Sequence, residues 1–288
     1  MKQAFLILAH NEFEILERLV GVLDDPRFDI YIHFDKKNKE VPVLKTNHSG
    51  LYILNNRIDV RWGDYSIVEA EISLFEAALN NSKYKYLHLL SGVDFPIKTM
   101  DEIYNFFENA EGKEFIGFNT TNYQNEVTRK VNKFHLFPKD FRGNGNFISL
   151  GKRLLRYIFI EFQVIFNINR NEEINFKKGT QWISITSELA DFVINKKKEL
   201  KKIFRNTFCS DEIFMQTICW NSDFKEKIYN IVDEGKGCLR EIGWHENEIR
   251  AWTYKDFDYL VNTKSFFARK FNSHDMRIIN RLTKYILK

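Results

Sequence analysis

The chain of 288 residues has little cysteine, and its cysteines form no recognisable pattern. Cys209, Cys219 and Cys238 show none of the paired spacings of a zinc site, and an odd number of them does not indicate a disulfide framework. Such sparse use is typical of a reducing compartment. We therefore expect neither a disulfide-stabilised secreted domain nor a structural metal.

Long apolar runs and processing signals are also missing. The first apolar segment, Ala4–Ala9, continues directly into His10 without the small-residue cleavage site of a signal peptide. No run reaches the roughly 18 residues that a membrane-spanning helix needs. We expect a cytoplasmic, unprocessed protein, with peripheral contact at the inner face of the membrane as an open alternative.

Neither sign of charge is in large excess. The chain has 43 Lys and Arg against 39 Asp and Glu, a net charge of +4, without a basic helix or stripe. This balance argues against a nucleic-acid binder and leaves a mild preference for anionic small molecules or membrane surfaces. With 4 prolines, no repeat and no low-complexity tract, the simplest division is one domain over residues 1–288.

The first 120 residues instead show regular alternation of strands and helices. We predict strands at Ala4–Ala9, Ile30–Phe34, Leu51–Leu54, Ile58–Val60 and Tyr86–Leu90, and helices at Phe13–Leu23 and Ser66–Leu79. The alternation predicts an α/β fold with a Rossmann-like, mostly parallel central sheet flanked by helices. Ligands of such sheets bind at the carboxyl ends of the strands.

Polar residues follow three of these predicted strands. His10 and Asp35 follow the first two, and Ser91 and Asp94 follow Tyr86–Leu90. Each alone is more often a turn residue than a ligand, but three equivalent positions favour a nucleotide site. Residues 1–120 are therefore predicted to be the nucleotide-binding half, and 121–288 the acceptor-binding and catalytic half.

The most apolar stretch lies in the second half, after a loop-rich segment at Phe118–Phe147. Leu154–Ile168 is too short and too often interrupted by polar residues to span a bilayer. We expect a helix packed into the core. An interfacial helix is the alternative, because Lys152, Arg153 and Arg156 lie at its start.

Further elements are predicted towards the end of the chain. They are a strand at Thr180–Thr186, and helices at Ser187–Phe192, Asp211–Trp220 and Asp275–Lys288.

An acidic doublet opens the second of these later helices, Asp211–Trp220. Ser210 is a natural N-cap, and acidic residues are favoured in a first turn, which explains Asp211 and Glu212 without catalysis. The functional alternative is that Glu212 removes the proton of an acceptor hydroxyl. An inverting group transfer needs one such base and no nucleophile.

The departing diphosphate of a nucleotide donor also needs positive charge. A metal-binding Asp-x-Asp pair is missing after Tyr86–Leu90, where Asp94 is the single carboxylate. The candidates for neutralising the diphosphate are therefore Arg250, Arg269 and Lys270.

Several segments of the chain resemble the core-2/I-branching glycosyltransferases, the family that also contains the peptide O-xylosyltransferases. They occur in family order over nearly the whole chain and are jointly specific. The matching segments are FLILAHNEFEILERLV at Phe5–Val20, IYIHFDKK at Ile30–Lys37, RIDVRWGDYSIVEAEISL at Arg57–Leu74, YLHLLSGVDFPIKT at Tyr86–Thr99, KKGTQWISITSELADFV at Lys177–Val193, SDEIFMQTI at Ser210–Ile218 and FFARKF at Phe266–Phe271.

This resemblance implies a GT-A-type fold, a nucleotide-sugar donor, inversion at the anomeric carbon and catalysis without a metal. Glu212 matches the family's catalytic base, and Lys270 its diphosphate-binding lysine. Arg250 best matches the partner arginine of that lysine, and Asp35 falls where the family contacts uridine.

The resemblance also implies acceptor contacts at Trp244, Glu126, Arg129 and Trp182. We expect the chain to lack the anchor, stem and disulfide set of the animal enzymes. We therefore expect a compact, bacterial-type member that acts in surface polysaccharide biosynthesis.

The leading hypothesis is an inverting, metal-independent glycosyltransferase without a cofactor, which uses a UDP-sugar and a glycan or glycolipid acceptor. UDP-N-acetylglucosamine is the first candidate donor, before UDP-xylose, UDP-glucose and UDP-galactose. The alternative is a catalytically inactive glycan- or nucleotide-binding module on the same fold.

Overall fold

A computed structural model describes residues 1–121, 124–142, 145, 147–246 and 248–288. Within these ranges the strands are β1 Gln3–Ala9, β2 Phe28–Phe34, β3 Gly50–Ile53, β4 Tyr86–Ser91, β5 Phe95–Pro96, β6 Ser184–Thr186, β7 Arg240–Ile242, β8 Trp244–His245, β9 Glu248–Ile249 and β10 Phe267–Arg269. The α-helices are α1 Phe13–Val22, α2 Ser66–Asn81, α3 Met100–Glu108, α4 Gln124–Val131, α5 Phe147–Ile165, α6 Ser187–Asn195, α7 Lys197–Phe204, α8 Phe214–Trp220, α9 Glu234–Cys238, α10 Phe257–Asn262 and α11 Met276–Ile286.

The central sheet has five strands in the order β3-β2-β1-β4-β6. Neighbouring strands run parallel except for β6, which is antiparallel to β4. A second sheet has the order β5-β10-β7, and β8 and β9 form a separate hairpin. The predicted α/β class, with a mostly parallel central sheet flanked by helices, is confirmed.

The three inner strands β1, β2 and β4 are buried over their whole length. One face of the sheet packs against α1, α3, α10 and α11, and the other against α2, α6 and α8. Strands covered on both faces need apolar residues at most positions, which is why these strands contain nearly continuous apolar runs.

Two of the predicted strands differ from the structure. Ile58–Val60 is not a strand: the Ile58 N–H donates to His33 Nε2 at 2.9 Å, and the Ile58 carbonyl accepts from the Lys36 N–H at 3.0 Å. These two hydrogen bonds take the place of the backbone ladder that a β-strand would form. Thr180–Thr186 is a strand only over β6, because the Thr180 carbonyl accepts instead from the Gln216 side chain at 2.7 Å.

The helix predicted at Asp211–Trp220 is broken near its start. Ser210–Glu212 forms a 3-10 turn, and α8 begins only after Ile213, whose φ of −131° interrupts the helical backbone. The prediction of Ser210 as an N-cap is wrong, because its hydroxyl is buried and has no hydrogen-bond partner among the described residues. The helix predicted at Asp275–Lys288 is confirmed as α11.

The expectation of a core helix at Leu154–Ile168 is also wrong. The helix there is α5, and among its described residues only Gln163 is buried. The Gln163 side chain accepts from the Phe134 N–H at 2.8 Å and donates to the Phe134 carbonyl at 2.9 Å. A polar contact of this kind holds α5 to the protein, and most of its apolar residues are exposed. Among its described residues, the loop-rich segment before it contains α4.

Among the described residues, no helix combines the length and apolar character that crossing a bilayer requires.

The two sheets meet at a buried arginine. The Arg240 guanidinium donates to the carbonyls of Cys238 and Ile183, each at 2.7 Å, and to Ser184 Oγ at 3.0 Å. It also lies 4.4 Å from the ring centroid of Phe267. Burial lowers the pKa of Arg240 to about 10, so this side chain is still a cation at neutral pH.

Candidate active site

The ends of β1, β2 and β4 lie side by side, because these strands are adjacent and parallel. His10, Asp35 and Ser91 are therefore at one edge of the sheet, as predicted for a nucleotide site. The Asp35 carboxylate is buried, accepts from the Lys37 N–H at 2.9 Å and pairs with the Lys37 ammonium at 2.7 Å. Partial burial lowers the pKa of His10. The charge of Asp35 opposes this shift, and the charges of Lys37 and Arg269 add to it.

Ser91 and Asp94 bind each other in the turn after β4. The buried Asp94 carboxylate accepts from the Ser91 N–H at 2.9 Å and from the Ser91 hydroxyl at 2.6 Å. It also pairs with Arg269 Nε at 3.1 Å. Asp94 thus shapes the turn and holds Arg269 at the edge of the sheet.

Arg269 connects the strand ends with one of the predicted acceptor residues. Its guanidinium carbon lies 4.3 Å from the ring centroid of Trp182, which is itself largely buried. The sequence left Arg269 without a definite role. In the structure it bridges Asp94 and Trp182.

Lys270 and Arg250 lie on either side of Trp252. The Trp252 indole N–H donates to the Arg269 carbonyl, and its backbone N–H to the Lys270 carbonyl, both at 2.9 Å. The Arg250 guanidinium lies 4.5 Å from the Trp252 ring centroid and makes two hydrogen bonds to Asp256, at 2.8 and 2.9 Å. Lys270 is exposed. The chain segments that carry Arg250, Arg269 and Lys270, the three cations suggested for the diphosphate, therefore meet at Trp252.

Trp244 shares a pocket with Arg250. Its side chain is 63% exposed on the β8–β9 hairpin. The pocket of about 390 Å³ is lined by Glu241, Ile242, Gly243, Trp244, Arg250, Trp252, Asp256 and Tyr259. A predicted acceptor residue and a predicted diphosphate residue thus border the same space.

Glu212 lies in a cluster of two carboxylates and two ammonium groups. Its Oε2 is 3.8 Å from Lys178 Nζ and 4.0 Å from Lys130 Nζ. The predicted acceptor residue Glu126 pairs with the same lysines more closely, at 2.9 and 2.6 Å. The Glu212 side chain remains 41% exposed, so its carboxylate is open to a ligand. Sequence reasoning missed both lysines, although Lys178 lies in the matched KKGTQW segment.

Arg129 is not part of this cluster. Its guanidinium pairs with Glu161 of α5 at 2.6 Å, although the next residue, Lys130, belongs to the Glu212 group.

A short segment links Glu212 to the basic residues. Lys178 lies beside Glu212 at one end, and Trp182 lies beneath Arg269 at the other. The Gly179 N–H donates to the Glu212 carbonyl at 2.9 Å, which fixes the segment to the 3-10 turn. Four residues of chain reach at most about 14 Å, so the candidate base and the cations border one region.

Two buried carboxyl groups behind Glu212 were missed as well. Burial raises the pKa of Asp211 to about 7, and the charge of Glu212 adds to this effect. Burial, followed by the charge of Asp211, raises the pKa of Glu71 well above its usual range. Glu71 Oε1 accepts from Gln181 Nε2 at 2.7 Å, while Glu71 Oε2 and Asp211 Oδ1 lack partners among the described residues. The available signal was a glutamate on the apolar side of α2.

Comparisons with known proteins agree with the resemblance seen in the motifs. The family model described as Core-2/I-Branching enzyme matches residues 3–267. Xylosyltransferase oxt of Drosophila pseudoobscura pseudoobscura is 22% identical, over 93% of this chain and 31% of its own length. N-acetyllactosaminide beta-1,6-N-acetylglucosaminyl-transferase of Homo sapiens is also 22% identical, over 93% of this chain and 67% of its own length.

The chain thus spans about a third of the length of these xylosyltransferases, and about two thirds of that of the human enzyme. Among solved structures, mouse xyloside xylosyltransferase 1 in its apo form gives a TM-score of 0.38 at 10% identity, covering 93% of this chain and 97% of the mouse chain. The family match covers most of the chain. The chain therefore belongs to the Core-2/I-Branching enzyme family.

Proposed function

We propose that the protein is an inverting glycosyltransferase, which moves a sugar from a UDP-sugar to a hydroxyl of a glycan or glycolipid acceptor. The observation that carries this proposal is the position of Glu212. Its partly exposed carboxylate borders the same region as Arg269, and the segment from Lys178 to Trp182 links the two. Relatives named as xylosyltransferases and an N-acetylglucosaminyltransferase support the same reaction type.

In this mechanism Glu212 is the general base. It takes the proton of the acceptor hydroxyl while that oxygen attacks the anomeric carbon of the donor. The new carbon–oxygen bond forms on the face opposite the bond to the diphosphate, and UDP leaves with the electron pair of the broken bond. One displacement of this kind inverts the anomeric configuration.

We assign the diphosphate to Lys270 and Arg250, with Arg269 beside them. Lys270 is exposed, and Arg250 is held by Asp256, which a phosphate can replace as its bidentate partner. Asp94, the carboxylate at the usual metal position, already binds Ser91 and Arg269. This supports neutralisation of the diphosphate by cationic side chains rather than by a divalent metal.

UDP-N-acetylglucosamine is the proposed donor, with UDP-xylose second, in line with the names of the relatives. The exposed indole of Trp244 offers a flat surface on which an acceptor sugar can stack. We place the reaction in surface polysaccharide biosynthesis, at the cytoplasmic face of the membrane.

The first test is Glu212→Gln, with release of UDP from UDP-N-acetylglucosamine in the presence of glycan acceptors as the readout. Loss of the base should lower the rate by about 10²–10⁴-fold while UDP binding is retained. Glu226→Gln is the matched control, because Glu226 is an exposed glutamate that is not among the predicted site residues. Equal rates for wild type and Glu212→Gln would reject the assignment. UDP binding without turnover in either protein would favour an inactive binding module.

The second test concerns the cations. Lys270→Ala should weaken UDP binding by at least about tenfold, whereas the exposed Lys264→Ala should leave it unchanged. Activity should also persist in excess EDTA. A strict manganese requirement would contradict the metal-independent part of the proposal.

A further inference from the structure

Helix α5 is attached to the protein by its polar side. The Arg156 guanidinium donates to the carbonyls of Leu136 at 3.0 Å, Asp140 at 3.2 Å and Phe137 at 3.3 Å. One turn earlier, Lys152 pairs with the Asp140 carboxylate at 2.8 Å. Together with the two hydrogen bonds of Gln163, these contacts use the stripe that a surface helix normally turns towards water.

The opposite side of α5 is an exposed apolar face. Its side chains range from 44% exposed at Val164 to 94% exposed at Phe147. The face consists of Phe147, Ile148, Leu150, Leu154, Leu155, Tyr157, Ile158, Phe162, Val164 and Ile165, and it continues into Phe166. Contiguous apolar surface of this kind marks a binding surface, because exposing it to water is costly.

Little charge interrupts the apolar face. Glu161 lies within it, but pairs with Arg129 at 2.6 Å. An α-helix turns by 100° per residue, so Arg153 lies between the polar side that attaches α5 to the protein and the apolar face. Its side chain is exposed.

A basic groove adjoins the far end of the same helix. Phe134, which binds Gln163, also lies 4.7 Å beneath the Arg170 guanidinium. The groove of about 610 Å³ is lined by Phe134, Arg170, Asn171, Lys198, Lys201, Lys202, Arg205 and Asn206. Lys201 pairs with Glu69, while Lys198, Lys202 and Arg205 form no ion pair with any described residue. The groove therefore holds positive charge that is not neutralised.

We propose that α5 and this basic groove bind the surface of an anionic phospholipid bilayer. The helix lies in the plane of the interface with its apolar face among the acyl chains, and the groove holds headgroup phosphates. Apolar and basic surfaces side by side match the two layers of such an interface. A second copy fits less well, because a two-fold contact through α5 would also bring the basic edges of the two copies together.

Binding of α5 to the bilayer in this orientation also determines where the candidate active site lies relative to the membrane. Arg129 ties α4 to α5, and the next residue, Lys130, borders Glu212. Two ion pairs of neighbouring residues on α4 thus connect α5 with Glu212. The acceptor would then be a glycan carried on a membrane lipid, a point that rests on the proposed function.

The test is co-sedimentation of the full chain with vesicles of phosphatidylcholine that contain phosphatidylglycerol. Wild type should bind at low salt, and binding should weaken as salt rises. The double variant Leu154→Ser/Ile158→Ser should lower the bound fraction by at least about tenfold. The control Val43→Ser/Val232→Ser, which removes exposed apolar side chains elsewhere, should bind like wild type.

The groove is tested with Lys198→Glu/Lys202→Glu. Each lysine removed should weaken binding to anionic vesicles by about fivefold. On vesicles of pure phosphatidylcholine, wild type and this variant should bind equally weakly. Unchanged UDP binding would show that each variant is folded and would keep this test separate from that of catalysis. Wild type that stays in solution with anionic vesicles at low salt would overturn the proposal. Self-association abolished by Leu154→Ser/Ile158→Ser, without vesicle binding, would assign the face to a second copy.

Discussion

Helices α2 and α5 have similar lengths and a similar share of apolar residues, yet they face opposite ways. α2 buries Val68, Ile72, Leu74 and Phe75 against the central sheet and α6. α5 turns its apolar side to solvent and binds the protein through Arg156 and its polar neighbours. The difference shows that an apolar stripe predicts a binding face but not its partner. That partner is the chain itself for α2 and, as we propose, a lipid surface for α5.

The strongest test of this difference between α2 and α5 is to replace one phenylalanine in each helix. Phe75→Ala should lower the free energy of unfolding by about 3–5 kcal/mol, because it opens a cavity in a closed core. Phe162→Ala should change it by less than about 0.5 kcal/mol, since the ring is already exposed. Urea denaturation measures both. Similar losses for the two variants would mean that α5 is packed after all.

A second prediction concerns Asp211, whose charge helps to raise the pKa of the buried Glu71 of α2. The Asp211 pKa of about 7 lies above the unfolded value of 3.8, so the folded state holds a proton that the unfolded state releases. Stability should therefore fall as pH rises between these two values. Asp211→Asn should remove this loss and stabilise the protein by about 2 kcal/mol near pH 8, an amount reduced for partial exposure.

Denaturation at about pH 5 and about pH 8 measures this effect. Glu76→Gln is the control, because Glu76 lies on the outer side of α2 and pairs with Lys197. A pH dependence that is unchanged in Asp211→Asn would contradict the prediction.

A third prediction concerns the polar attachment of α5. Gln163→Ala removes both hydrogen bonds to the backbone of Phe134 and should cost about 1–2 kcal/mol. Faster proteolysis near Phe134 and a lower unfolding free energy are the readouts. Ile165→Ala, two residues away and exposed, should leave both unchanged. Equal behaviour of the two variants would argue against attachment through the polar side.

The smallest effect is expected at the rim between α2 and the basic groove. Lys201 pairs with Glu69 of α2 at 2.7 Å, with side chains 59% and 33% exposed. Lys201→Ala should change the free energy of unfolding by less than about 0.5 kcal/mol, because exposed ion pairs contribute little. Thermal denaturation measures this. A larger loss would show that the pair is part of the structural support of α2.

The inner strands were predictable because β1, β2 and β4 are covered on both faces and are therefore apolar at most positions. The order of the strands also made it predictable that His10 and Asp35 would be neighbours. Ile58–Val60 was not predictable, because its hydrogen bonds depend on His33, a residue distant in sequence.

The candidate site was predictable to the extent that its residues lie in short motifs. Glu212 and Lys270 are in segments that match the family. Lys130 could not be predicted, because it reaches the site from a helix whose packing the sequence does not specify. The same reason explains the wrong prediction of a core helix at α5. The polar residues that interrupt its apolar sequence are the ones that attach it to the protein.

Asp94 has a consequence for the charge of the site. It binds Arg269, and its charge also raises the pKa of Arg240 against the effect of burial. One carboxylate thus acts on two guanidinium groups, which leaves one positive charge over before Lys270 and Arg250 are counted. Since a pKa of about 10 keeps Arg240 protonated, that surplus is constant across physiological pH. An arriving diphosphate would meet an electrostatic field that the folded protein already maintains.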